Sequence, residues 1–340
     1  MRALRLTGER QLELTDIPAP GAPGPGEVQI AVKAMALNHI DVWGWRGMAF
    51  AKRELPIVVG VEAAGEIVAV GEGVDDRKPG DPVAMYGART CGTCKPCMQG
   101  RDNLCDNVAG IMGFHVDGFC RDRVNIAARH TVPVPGGVNW VNAACTSVTF
   151  GTTEHMLFDN ARLEAGETIL VHAGGSGIGS SAIRMSKDVG ATVIATVGDD
   201  EKAEKARALG ADHVINYREE RFESRARRLT GKAGVDVVFE HVGPDTFPGS
   251  MFALKKGGRL VTCGSTTGVS STINLYQLFQ QQLRLIGSFG CRIDNMRSSL
   301  AKMARGVLPV IDTEITLENF AQGLERLESR RVFGKIVVTF

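Results

Sequence analysis

Residues 168–191 read TILVHAGGSGIGSSAIRMSKDVGA. An apolar, β-branched run comes first, then a glycine-rich turn, then a helical segment closed by Gly190. A lone G-x-G-x-x-G is a weak signal, but a strand before it and a helix after it make it a dinucleotide loop. Gly174, Gly175, Ser176, Gly177, Ile178 and Gly179 form the expected phosphate cradle. Gly174 is placed at the tight turn. Gly177 and Gly179 let the helix start approach the sheet and the pyrophosphate, whose charge meets exposed N–H groups and the helix dipole. Ser176 stands where the motif normally has its middle glycine.

The alternation continues on both sides of this stretch. Apolar runs at 191–197, 213–216, 235–240, 258–263 and 283–287 are separated by helical segments, two of them stopped by Gly190 and Gly210. With 168–173 they make six strands with helices between, the pattern of a doubly wound parallel sheet in an α/β fold. The charged run at 218–232 fits a solvated helix face. Before about residue 150 the texture differs: EVQIAV (27–32), GEIVAV (65–70) and DPVAMY (81–86) are short strands among Gly and Pro, which predicts a mostly β domain. A helix at 317–328 and a strand at 334–340 close the sequence, and that strand is placed to pair back into the first domain.

The bulk properties exclude several classes. A length of 340 residues fits two domains, and 44% apolar with 23% charged residues is ordinary globular composition. A net charge of +1 offers no footprint for nucleic acid or an anionic membrane. No run is long enough to span a bilayer and the first residues lack a signal-peptide core, so a cytoplasmic enzyme acting on a small molecule is expected.

Two motifs carry chemistry beyond the glycine loop. Cys91, Cys94, Cys97 and Cys105 have gaps of two, two and seven residues, which is metal-ligand spacing; the scattered Cys120, Cys145, Cys263 and Cys291 fit small buried hydrophobes. At the end of the second strand an acidic residue would hold the ribose hydroxyl of NAD. That position falls on Val197, followed by Asp199, Asp200 and Lys202, and the lysine favours NADPH over NADH.

With these pieces in place the whole chain resembles the medium-chain dehydrogenase/reductase superfamily. The resemblance implies a GroES-like, mostly β catalytic domain (1–149 and 289–340) interrupted by a Rossmann cofactor domain (150–288). CGTCKPCMQGRDNLC (91–105) is similar to the lobe that binds structural zinc in the family's alcohol dehydrogenases, which implies one structural Zn²⁺ per chain. The stretches that hold a catalytic zinc there read Asn38-His39-Ile40-Asp41 and Gly60-Val61-Glu62 here, and the third ligand position falls near Val148. A rearranged metal site using Cys145, His39 and Glu62 stays open beside the reading that Asp41 and Glu62 are scaffold carboxylates. Asn38-x-x-Asp41 and Gly60–Gly65 instead resemble the metal-free quinone oxidoreductase and enoyl reductase branch. That branch implies cofactor contacts at Lys202, Tyr217, Val242, Gly264, Ser265 and Arg330. It also implies a homodimer or homotetramer, with the strands at 258–263 and 283–287 near a subunit edge.

Without a metal, a conjugated C=C–C=O is the easier hydride acceptor, because hydride at the β-carbon leaves a delocalised enolate that hydrogen-bond donors stabilise. The expected activity is therefore NADPH-dependent reduction of quinones, 2-enals or 2-enoyl thioesters. Asn38 is the expected carbonyl donor and His39 or solvent the proton source, with Asp41 beside them. His241 is a further candidate, and Trp43, Trp45 and Phe50 line a pocket or belong to the core. Two alternatives stand: an alcohol or aldehyde dehydrogenase, and a non-catalytic nucleotide-binding protein.

Overall fold

The computed structural model describes residues 1–48 and 53–340; Phe50 lies outside them. The chain divides into two compact units, Met1–Gly151 with Cys291–Phe340, and Thr152–Gly290. The first stretch of unit 1 contributes β1 (Glu27–Ala36), α1 (His39–Trp45), β2 (Glu62–Val70), β3 (Pro82–Met85), β4 (Arg123–Ala127) and β5 (Thr131–Pro133). A smaller sheet of Arg2–Gly8, Gln11–Asp16 and Ile57–Val58 lies alongside in sequence.

Unit 2 holds β6 (Thr168–Val171), α2 (Gly177–Asp188), β7 (Thr192–Val197), α3 (Asp200–Ala208), β8 (His213–Asn216), α4 (Phe222–Leu229), β9 (Val235–Glu240), α5 (Phe247–Ala253), β10 (Leu254–Thr262) and β11 (Arg284–Gly287). Its six strands are all parallel, in the order β8-β7-β6-β9-β10-β11. A parallel sheet must be covered on both faces, and β9 is buried at all its positions. Leu170, Ile194, Ile215, Val238 and Leu260 from the strands meet Phe222, Ala226 and Met251 from the helices in one core. Gly190 and Gly210 end their helices with φ of 88° and 107°, a left-handed conformation that glycine takes without a Cβ clash. Strand β10 starts earlier than the sequence pattern suggests, because Leu254 already pairs with Val235 before a shift in register.

The chain then returns to unit 1 with α6 (Ile293–Ala304), β12 (Ile311–Ile315), α7 (Phe320–Glu328) and β13 (Lys335–Thr339). The main sheet runs β5-β3-β2-β1-β13-β12, with β4 pairing to β1. Strand β13 is therefore interior, antiparallel to β1 and parallel to β12. Gly334 admits it: φ is 103°, and a Cβ there would meet the Val310 carbonyl oxygen at 2.3 Å. Ile30, Met35, Ile67, Phe119, Phe320, Leu324, Ile336 and Val338 fill the core beneath. Each such side chain, fully buried, contributes about 1.5–3 kcal/mol.

Candidate active site

Register alone brings three polar residues of unit 1 together. Ala36, the last residue of β1, pairs with Glu62 at the start of β2 and with Val337 of β13. Beyond Ala36 the amide of Leu37 donates to the carbonyl of Ile336, so Asn38 and Lys335 come opposite one another. Lys335 Nζ donates to Asn38 Oδ1 at 2.7 Å, to Glu62 Oε1 at 2.9 Å and to the Leu37 carbonyl at 2.5 Å. Glu62 is completely buried and accepts further bonds from Asn38 Nδ2 (3.0 Å), Thr149 Oγ1 (2.7 Å) and the amides of Val148 (2.7 Å) and Thr149 (3.1 Å). A buried carboxylate is tolerable only with such a complement of donors and a cation.

This arrangement occupies Asn38 on both sides. Its amide group donates to the Ala36 carbonyl (3.0 Å) as well as to Glu62, and its Oδ1 accepts from Lys335. Both amide hydrogens are spent inside the protein, so the side chain cross-links three strands and has none left for a substrate carbonyl. Asp41 accepts from the Asn38 amide at 2.7 Å and closes the first turn of α1. Burial pushes its carboxyl up to about 7, against the opposing pull of the Asn38 N–H and Lys335. His39, the first residue of α1, is exposed and makes an edge contact with Trp43 at 6.0 Å. Trp45 belongs to the unit 1 core.

The donor set at this centre does not fit a zinc ion. Val61 is buried and apolar, Val148 contributes only a backbone N–H, and the Lys335 ammonium already supplies the positive charge. The Cys145 thiol donates to the Val141 carbonyl at 3.5 Å.

The cysteine lobe gives the opposite result. Sγ atoms of Cys91, Cys94, Cys97 and Cys105 all lie within 4.8 Å of one another. Zn–S bonds of about 2.3 Å in a tetrahedron require sulfurs about 3.8 Å apart. The Cys94–Cys105 and Cys91–Cys105 separations are 3.9 and 3.6 Å. Cys91 Sγ accepts from the amides of Thr93 (3.4 Å) and Cys94 (3.3 Å), which lowers its thiol pKa to about 5. The four sulfurs fit a closed structural zinc.

In unit 2 the glycine loop runs from β6 into α2. The left-handed residue is Ala173, with φ 45°, one position before the Gly174 that the sequence pattern marks. Gly174 sits in tight packing instead, since a Cβ would meet the tip of Ile183 at 3.1 Å and Ala195 Cβ at 3.3 Å, and these would have to give by a few tenths of an ångström. At Gly179 a Cβ would meet the Ala173 carbonyl at 2.2 Å, so only glycine lets the helix start this close to the strand end. Ser176 is the N-cap of α2, and its Oγ accepts from the Gly179 amide at 3.0 Å. The hydroxyl thus has a helix-capping task that the glycine it replaces could not perform. The loop retains the close backbone approach that a pyrophosphate needs.

The remaining cofactor candidates fall in three places. Tyr217, after β8, lies over Gly198, where a Cβ would meet its hydroxyl at 2.6 Å. Asp199 caps α3 by accepting from the Lys202 amide at 2.8 Å, and its carboxylate lies 3.9 Å from Lys202 Nζ. Lys202 and Tyr217 are thereby gathered at the end of β7. Val242, Gly264 and Ser265 come together where the turns after β9 and β10 touch, a Cβ on Gly243 meeting Ser265 Cα at 3.1 Å. Arg330 belongs to unit 1, in the turn after α7, with φ 58°.

His241 is buried, its Nε2 3.0 Å from the His172 carbonyl, which leaves it a packed residue. Next to it, Glu240 accepts from the amides of Val242 (2.6 Å) and Gly243 (3.2 Å), from Thr246 Oγ1 and from Ser250 Oγ (2.9 Å). His172 Nε2 is 2.8 Å from the same Ser250 hydroxyl, and its Nδ1 is 3.2 Å from Thr196 Oγ1. This network ties the ends of β6, β7 and β9 together under the glycine loop.

Two units of this kind, one parallel with a glycine-loop helix and one β with a buried polar centre, define a nicotinamide-dependent oxidoreductase fold. The known proteins agree. A family described as "Zinc-binding dehydrogenase" matches residues 177–305, and "Alcohol dehydrogenase GroES-like domain" matches 24–136. The acryloyl-coenzyme A reductase of Metallosphaera sedula is 30% identical over all of both chains. The quinone oxidoreductase of Pseudomonas aeruginosa is 30% identical over 97% of this chain and 96% of its own. A crystal structure described as an NAD-dependent alcohol dehydrogenase superposes with a TM-score of 0.95 at 38% identity, covering 100% of both chains. The chain belongs to the medium-chain dehydrogenase/reductase superfamily and is an oxidoreductase of that class.

Proposed function

We propose that the protein is an NADPH-dependent reductase of conjugated carbonyl compounds that works without a catalytic zinc. The observation that carries this reading is the Lys335–Glu62–Asn38 centre, which puts an ammonium and two valines where a catalytic zinc needs ligands. Relatives named for acryloyl-coenzyme A and for quinones support the conjugated acceptor. Bound NADPH supplies a hydride, and a C=C–C=O acceptor stores the resulting charge as an enolate that needs no Lewis acid.

The chain's own residues then divide the remaining work. Gly174–Gly179 hold the pyrophosphate; Lys202 and Tyr217 select the 2′-phosphate; Val242, Gly264 and Ser265 support the nicotinamide half; Arg330 in unit 1 is a further cofactor contact by family resemblance. Asn38 and Asp41 fix the start of α1, and exposed His39 on that helix, or solvent, returns the proton. Cys91, Cys94, Cys97 and Cys105 hold one structural zinc. Edge strand β11 and exposed Leu275, Tyr276 and Phe279 near it in sequence support a homodimer or homotetramer.

The similarity to an NAD-dependent alcohol dehydrogenase favours a second reading, oxidation of an alcohol. One panel separates them: 1,2-naphthoquinone, 2-alkenals, enoyl thioesters and simple alcohols, each with NADPH/NADP⁺ and NADH/NAD⁺, on protein of measured zinc content. Turnover of conjugated acceptors with one zinc per chain is expected. Turnover of alcohols alone, with two zinc ions per chain, sinks the proposal.

A further inference from the structure

A cavity in unit 1, of about 300 Å³, is lined by three arginines, Arg89, Arg121 and Arg129, with Asp117 and Glu27 at its wall. It is separate from the polar centre. Tyr86 and Ala88 line it, while Gly87 between them lies against Val61, whose carbonyl oxygen a Cβ there would meet at 2.7 Å. The arginines differ in what they do. Arg129 is fixed by its guanidinium bonds to the Thr90 carbonyl and to Thr90 Oγ1 (3.2 Å). Arg121 is mostly buried, and its Nε makes no hydrogen bond among the described residues. Arg89 is exposed and makes no side-chain hydrogen bond or ion pair among the described residues.

The carboxylates do not balance this charge. Asp117 reaches Arg121 only at 4.0 Å, and its other oxygen accepts from the Val58 amide at 2.9 Å. One Glu27 oxygen accepts from the Gly24 amide at 3.1 Å. A buried guanidinium N–H without an acceptor is costly, so Arg121 Nε calls for a partner, and an anion there would also meet the charge of Arg89. Planar guanidinium forks match the oxygens of a phosphate, and three of them suit a dianion better than a single carboxylate. The cavity has room for more than a bare anion.

We infer that this three-arginine cavity is a binding site for a phosphate group, either free phosphate or the phosphate of an organic ester. No residue proposed for the hydride reaction lines it, so it goes beyond the function proposed above.

Titration calorimetry on the zinc-loaded, full-length protein tests it, with inorganic phosphate, glycerol 3-phosphate and glycerol as probes. Saturable binding of a phosphate probe at one site per chain, and none of glycerol, is expected. Arg121→Ala and Arg89→Ala should each weaken it by about tenfold or more. Lys202→Ala, in the cofactor unit, should leave it unchanged, so loss of cofactor binding and loss of this site read out separately. Tighter binding of the ester identifies an organic phosphate as the source, and tighter binding of phosphate identifies the free ion. If Arg121→Ala fails to fold, exposed Arg89 carries the test. Absence of saturable binding by both phosphate probes, or binding that the foldable arginine variants leave intact, overturns the inference.

Discussion

Lys335 Nζ and Glu62 Oε1 lie 2.9 Å apart with side chains 4% and 0% exposed, although 273 residues separate them. The pair stands at the ends of β2 and β13, the two strands that flank β1, and is the charge centre of unit 1.

Removing one partner leaves the other charge buried, at a cost of about 3–5 kcal/mol. Lys335→Met should therefore lower unfolding stability strongly, toward the lower end of that range because Glu62 keeps four further donors. Adding Glu62→Gln should recover part of the loss. Denaturant unfolding of the single and double variants measures this; a loss under about 1 kcal/mol for Lys335→Met would mean the pair is not buried.

Asp41 gives a pH dependence of definite sign. Its carboxyl is raised in the folded protein to about 7 by burial, so the native state holds a proton that the unfolded state has released. Stability contributed by this group is full at acid pH and falls as pH rises from about 4 to 7. Asp41→Asn keeps an oxygen acceptor for the Asn38 amide and removes the titration. Its melting temperature should depend less on pH across that window than that of the wild type. Parallel profiles for the two proteins would refute the assignment.

The zinc lobe should matter for stability before it matters for chemistry. Cys94→Ser is expected to lose the metal and lower the melting temperature, because metal binding at such sites is folding free energy. Activity per folded molecule at low temperature should survive. Metal analysis with melting curves checks this, and normal melting with abolished turnover would assign the lobe to the reaction.

Lys202→Ala should weaken NADPH by about tenfold while changing NADH little, since a half-buried lysine–phosphate contact is worth about 1–2 kcal/mol. Fluorescence titration with both cofactors decides it; equal weakening removes the lysine from phosphate selection.

Much of this architecture was legible in local pattern. Strand runs, helix stops at Gly190 and Gly210 and the glycine loop specify unit 2, because a parallel sheet repeats one local unit. The cysteine spacing was legible for the same reason: one short segment contains all four ligands. The polar centre was not. Asn38, Glu62 and Lys335 meet only through the register of three strands, and no spacing in the chain records that. A lysine at the head of the apolar run KIVVTF was the available sign, since a charge entering an interior strand needs a partner. His241 stood in the sequence only as a candidate for a related reason: its bond to the His172 carbonyl exists only once β6 and β9 are adjacent.

The interior position of β13 sets an order of events during synthesis. Asn38 and Glu62 leave the ribosome early, but their cation is encoded 297 and 273 residues later, after the whole of unit 2. Until then β1 has an open edge on the side that β13 will take, and a carboxylate waits beside it without its counter-charge. Unit 2 has all its strands before this gap can close. The parallel unit is therefore expected to be folded while the β unit is still unfinished, and arrest of the nascent chain before Lys335 should yield a protease-resistant unit 2 attached to a protease-sensitive unit 1.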